Sequence, residues 1–393
     1  RTHKPGVGGS NPLPATKKML AIKKNLQKYF KSLGYFLFKI LYGKINEVIN
    51  TENSNEIEIH SIKKAKKFSY KIYSIKNARL YTDRVSDTAV IKNNKLLSGP
   101  SFQFRNIKNE VINADPHTNL VMLNGTPRTK RKISGKVLSL LTGGGGNENY
   151  WHWMFDVLPR IGICEEKINL NNIDFFLLPD NKKKFQAETL ETLKIPQNKQ
   201  ISSTKFRHIL TDELYVTSHP VVLTDNATKD IQNIPEWILE WLKSKFVKNQ
   251  DKNFKTFSKK VYLDRSDSKS NARNLRSIIN EKDVQDFMKN NGFKIVKLSE
   301  LSFEEQVMTF RNADTIVGLH GAGFANLVFC TPSTKIVEIK ANPNDIVIKS
   351  LANKNNLTYE SISCKPEEIK SDNQFGHINV PIEKLKNILG SKI

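Results

Sequence analysis

Cysteine is scarce in this chain of 393 residues: only Cys164, Cys330 and Cys364 occur, and no two form a C-x-x-C pair. That spacing argues against a disulfide framework and reads as three reduced core thiols of a cytosolic protein. Long apolar runs are also missing. The longest uncharged stretch, Thr315 to Thr334, is broken by glycines, an asparagine and a proline, and none of the runs reaches the ~18–20 residues that a membrane-spanning helix requires. Acidic residues are sparse at the start, where residues 1–80 hold 17 basic and 4 acidic side chains. The Walker lysine pattern and a full G-x-G-x-x-G are absent, which disfavours an NTPase or an ordinary dehydrogenase. Recognition-helix, RNP and zinc patterns are absent as well, so the formal charge of +23 does not point to nucleic acid.

What is present suits two globular domains by length. The excess of 62 Lys and Arg over 39 Asp and Glu speaks about partners rather than fold: nucleic acid, an anionic membrane surface or an anionic small molecule. The stretch Gly9–Pro12 can be encoded by the T-arm consensus of a transfer RNA gene. Residues 1–18 are therefore expected to be non-native read-through, with Met19 as the true start.

From Leu20 to Ile49, apolar residues recur at Ile22, Leu26, Phe30, Leu33, Leu37, Ile40 and Leu41 with lysines between them, the pattern of a basic amphipathic helix. Such a helix either packs on the main body or lies on an anionic membrane face. Short alternating runs over 51–130 read as β-rich. A glycine loop at Gly143–Gly146 then leads into a helix over Asn149–Ile161 that Pro159 and Gly162 should end. Strand, helix, strand follow at Ile173–Asp180, Phe185–Ile195 and Glu213–Pro220, which suggests a parallel sheet covered by helices. After a helix with Pro235 near its start and a Lys/Asn-rich linker, the β/α rhythm resumes at Val261. Ser302 and Glu305 have capping-box spacing, and four strands separated by helical segments make a Rossmann-like half.

Three constellations carry chemistry. In "GLHGAGFANLVF" a buried strand ends at Leu319 and turns through His320, Gly321, Ala322 and Gly323 into a helix. Its amides converge where open α/β sheets bind diphosphates, although Gly-x-Gly turns are often no more than tight turns. Arg265, Arg273 and Arg276 follow the strand at Val261 and could fork onto phosphate, or simply be solvated. Glu338 ends a strand and could accept from ribose hydroxyls. His152 and Asp156 stand four residues apart on one helix face beside the glycine loop, as a general base or as a plain helix-surface hydrogen bond.

The segments "NYWHWMFDVLPRI", "YLDRSD" with Arg276, Asn280 and Glu281, and "LSFEEQVMTFRNADTIVGLHGAGFANLVFCTPSTKIVEI" resemble glycosyltransferase family 61 over about residues 88 to 340. The resemblance implies an α/β, GT-B-like fold: two Rossmann-like domains facing across a cleft, here with a basic N-terminal helical extension. The expected boundaries are 19–50 for the helix, 51–232 for the acceptor-side domain and 233–260 for a helix and linker. The nucleotide-sugar domain is expected over 261–345, with a C-terminal segment over 346–393. It further implies an inverting transferase that needs no metal and no cofactor beyond its substrate, a nucleoside-diphosphate sugar, UDP-linked. Asp156 and His152 become the catalytic candidates. Arg265, Arg276, His320, Gly321, Ala322, Gly323, Asn326 and Glu338 become the donor-binding ones. The acceptor is a glycan or lipid-linked glycan in capsular or surface polysaccharide biosynthesis, handled in the cytoplasm with a possible peripheral contact to the anionic inner membrane face. A non-catalytic scaffold of a polysaccharide assembly complex, or a basic nucleic-acid-binding protein, are the alternatives.

Overall fold

The structure, a computed structural model, describes residues 14–65, 67–107, 110–221, 227–230, 232–247, 257–266, 276–367 and 376–390. Arg273 lies outside them, as does most of the Lys/Asn-rich linker.

The chain opens with helix α1, Pro14–Tyr42. It meets the body through Tyr42, whose ring packs edge-on against His208 at 5.1 Å, whose hydroxyl accepts from Lys130 N at 3.0 Å, and whose neighbour Lys39 donates to Leu123 O at 2.7 Å. The apolar stripe expected from the sequence faces elsewhere: Ile22, Leu26, Phe30, Leu33, Leu37, Ile40 and Leu41 are all exposed. Of the two readings of this helix, packing through its stripe is therefore not what the fold does. No helix among the described residues is long and apolar enough to cross a membrane.

The next strands are β1 (Val48–Asn50), β2 (Ile57–Lys64), β3 (Phe68–Thr82), β4 (Asp87–Lys92), β5 (Lys95–Ser98), β6 (Phe102–Ile107) and β7 (Glu110–Asn113). They are followed by β8 (Arg131–Ser139), β9 (Phe175–Leu178), β10 (Gln200–Ser202) and β11 (His208–Thr217). All belong to one sheet with the main order β1-β5-β4-β3-β11-β8-β9-β10. The run from β11 to β10 is parallel, as is the short β1–β5 pair at the opposite edge, whereas β2 with β3, β3 with β4 and β4 with β5 pair antiparallel. The first half is thus Rossmann-like on one side and a meander on the other. The reason is local: Asn93 and Asn94, at φ 50° and 57°, turn β4 straight into β5, and a two-residue connection can only join antiparallel strands.

The second sheet comprises β12 (Lys260–Leu263), β13 (Lys294–Val296), β14 (Thr315–Leu319), β15 (Lys335–Lys340) and β16 (Thr358–Ser363). Every pairing is parallel, in the order β13-β12-β14-β15-β16. By sequence rank that is 2-1-3-4-5, a doubly wound order whose switch point lies between β12 and β14. The fifth strand, β16, falls in the segment expected to follow this unit, because its alternating "TYESIS" offers no long apolar run.

The sheets are joined by apolar contact. The largest buried cluster takes Tyr70 and Leu138 from the first, Leu263 and Ile316 from the second, and Trp153, Trp237 and Phe329 between them. The helix Glu236–Phe246 is the main bridge: its Trp237 ring meets Tyr70 at 5.4 Å and its Phe246 ring meets Phe303 at 4.9 Å.

Candidate active site

The helix expected to stop at Pro159 instead runs on to Cys164. Asn149 caps it, its side chain accepting from Trp151 N at 2.9 Å. A π turn over Trp153–Val157 precedes Pro159–Cys164, so the proline opens a new helical segment rather than closing the old one. Gly162 does not end it either: a Cβ there would lie 2.8 Å from the Trp241 ring, so this glycine lets the bridging helix pack close.

The π turn carries His152 and Asp156 into one pocket of about 340 Å³ at the C-terminal edge of the first sheet. The Gly143–Gly145 loop and His219 form its inner wall, and Phe104, Arg105 and Val111 the opposite one. His152 Nδ1 lies 2.6 Å from Asp156 Oδ2. The carboxylate is buried behind the ring, whereas the imidazole is part-exposed, with the loop pressed so close that a Cβ on Gly145 would meet its Cδ2 at 2.6 Å. Burial weighs against charge on both groups. Their mutual hydrogen bond and attraction outweigh it, holding the Asp156 carboxyl below its ordinary range and the His152 imidazole above its own.

Arg160, also buried, ties this turn to the sheet: Nε donates to Asp156 O at 3.0 Å and Nη1 to Thr217 O at 3.2 Å. Burial brings its guanidinium down to about 10. His219, just past β11, places Nε2 3.1 Å from Thr142 Oγ1, and burial pushes its pKa down to about 4, so it is a neutral ring. Sequence reading passed over it. The only signal was its position at the C-terminal end of a sheet strand, where ligands gather.

A second pocket, of about 220 Å³, opens at the switch point of the parallel sheet, lined by Leu263 at the end of β12, by Arg265 just after it and by Gly321 and Gly323 after β14. Tyr150 and Phe185 from the first half close it. One helical turn, Tyr150–His152, thus separates the pockets, Tyr150 facing one and His152 the other.

The glycines of the bend work by close approach and not by positive φ. Gly321 is extended at φ 170°, and a Cβ on it would collide with the Arg265 guanidinium, whose Nη1 donates to His320 O. A Cβ on Gly323 would meet Leu298 Cδ1 at 2.7 Å. The segment after the bend, Ala322–Phe329, is 3-10 rather than α-helical. Its contribution to an anion is therefore the local amides of 321–323, ahead of the Phe324 N to Gly321 O bond of 3.1 Å.

The remaining sequence candidates lie one layer back. Asn326 is fully buried: it accepts from Tyr150 Oη at 2.6 Å and donates to Gln306 Oε1 at 3.1 Å, latching the bend to the His152 turn instead of facing a ligand. Glu338, expected to meet a ribose, is likewise fully buried, its oxygens taken by His320 Nδ1 and the Tyr359 hydroxyl, with Lys340 Nζ at 3.8 Å. Arg276 is part-buried. Desolvation lowers its pKa, while the charges of Asp345 and Glu338 oppose that shift.

Residues 150–337 match the family described as Glycosyltransferase 61. Over that segment the chain is similar to glycosyltransferase family 61. The similarity points to glycosyltransferase activity, with a sugar donor and an acceptor as substrates. The match begins at Tyr150 and takes in the dyad, both described arginines and the whole bend, but it is shorter than the expected 88 to 340. It leaves out the glycine loop and most of the first sheet, including the Phe104 and Arg105 wall of the larger pocket. Among curated proteins, a search finds no match.

Proposed function

We propose that the protein is an inverting, metal-independent transferase of GT-B type. It moves a sugar from a nucleoside-diphosphate sugar, UDP-linked, to a hydroxyl of a glycan or lipid-linked glycan in capsular or surface polysaccharide biosynthesis. The observation that carries this reading is the pocket at the switch point of the parallel sheet, with the His152–Asp156 dyad opening on the other side of the same turn. The second sheet is the donor lobe and the first the acceptor lobe. The 321–323 amides, Arg265 and Arg276 receive the charge that develops on the departing diphosphate, the task a metal performs in other transferases. His320 stands at the same bend, held by Glu338 behind it. Inversion needs one base, and the accessible ring of His152 takes the acceptor proton while Asp156, buried behind it, fixes the ring's orientation.

Ligand linkage tests the donor site directly. UDP at one hundred times its Kd should stabilise the folded protein by about 2.7 kcal/mol, read as a rise in melting temperature, and Arg265→Ala should abolish most of that rise. If none of UDP, GDP or ADP shifts the melting curve, the donor reading fails and a scaffold role gains.

The site of action is the cytoplasmic face of the cell membrane. No acidic residue precedes Glu47, and the exposed stripe of α1 is interleaved with lysines, a combination suited to an anionic bilayer surface. Leu26→Glu with Leu37→Glu should reduce co-sedimentation with phosphatidylglycerol vesicles by more than about tenfold, since each buried leucine contributes about 1.5–3 kcal/mol. Equal binding by the variant, or a stripe that instead mediates a dimer in light scattering, would remove the membrane assignment.

A further inference from the structure

The polar cluster behind the 320–323 bend contains one group that neither the fold nor the donor reading uses. His320 faces a carboxylate on each side: Nδ1 meets Glu338 Oε1, and Nε2 lies 3.4 Å from Asp345 Oδ2. Arg276 senses the charge of the same two acids. Glu338 is fully buried in its strand and cannot leave, but Asp345 is placed differently. It sits in the short connection between β15 and the helix Val347–Lys354, where Pro343, Asn344 and Ile346 are exposed. Its Oδ1 accepts from Val347 N at 3.1 Å and its carbonyl from Lys340 Nζ at 2.7 Å. The bond from Val347 N needs only that first oxygen, which leaves Oδ2 directed at His320, beside the bend and the arginine that the donor reading assigns to phosphate.

We propose that Asp345 holds the place of a donor phosphate oxygen on His320 and is displaced when the nucleoside diphosphate binds. The inference rests on the donor reading of this edge. An anionic oxygen and a phosphate oxygen seek the same donors, and two anions cannot share them at hydrogen-bond distance without strong repulsion. The carboxylate keeps the cationic groups neutralised while the site is empty, lowers donor affinity by the work of its own displacement, and returns to help expel the diphosphate product. Because the residues around it are exposed, the side chain can swing away with the apolar core intact.

Asp345→Asn keeps an oxygen for Val347 N and removes the charge. Binding of inorganic pyrophosphate and of UDP, followed by titration calorimetry on the full chain, should tighten on the order of five- to tenfold in this variant, the lower range of coupling between competing ligands. Asp345→Ser, which also offers Val347 N an uncharged oxygen, should give the same gain. Unchanged or weaker binding in a variant that melts like the wild type overturns the inference and leaves the donor site standing. If the wild type and both variants bind neither pyrophosphate nor UDP, the donor reading and this inference fall together.

Discussion

Replacing His152 by alanine should lower kcat by about 10²–10⁴, the usual contribution of a positioned general base, while UDP binding to the folded protein stays close to wild type. The ring is part-exposed in its pocket, so its loss leaves no large buried void, and it does not line the donor pocket. Asp156→Asn should also cost activity, but through the pH profile. A base must be unprotonated to act, so wild-type kcat/KM falls as the pH drops through the pKa of His152, which its partner holds above the ordinary 6.5. With an uncharged partner, burial acts on the ring unopposed and the acidic limb should move below that value. A structural role for Asp156 would lower activity without moving the limb. A profile that stays in place in Asp156→Asn, or full activity in His152→Ala, would remove the dyad from the mechanism.

The second large effect is on stability. Glu338→Ala should destabilise the fold by about 3–5 kcal/mol in denaturant unfolding, because it strips a fully buried carboxylate from His320, Tyr359 and Lys340 and leaves their polar atoms enclosed. Burial and that hydrogen bond already raise the Tyr359 phenol, which shows how strongly the hydroxyl depends on its acceptor. A ribose-binding role would give the opposite pattern, with stability unchanged and donor affinity lost. A loss under 1 kcal/mol would return Glu338 to the ligand surface.

Residue types and spacings were enough to place the candidate groups at the strand ends. The i,i+4 step placed His152 and Asp156 together, and they meet at 2.6 Å. The capping box at Ser302 and Glu305 is present in both halves. The strand-to-bend transition at Leu319–His320 lies at the C-terminal edge of the parallel sheet, as read. These features are local, governed by helical geometry and by a glycine's lack of a Cβ, so neighbouring residues suffice to specify them.

Other features needed the chain brought together. Nothing in the spacing of Asn326 or Glu338 tells a ligand contact from a buried anchor; partners 176 residues away at Tyr150 and 21 away at Tyr359 decide it. His219 and Asp345 reach the two sites only through strand order. The face α1 turns to water is likewise tertiary, because the periodic stripe is the same whether buried or exposed. The sequence by itself determined which groups carry charge, which turns are tight and which family the chain resembles. Tertiary structure alone decided which of those groups faces a pocket and which stands behind it, since desolvation and hydrogen-bond saturation depend on what packs alongside and not on chemical type.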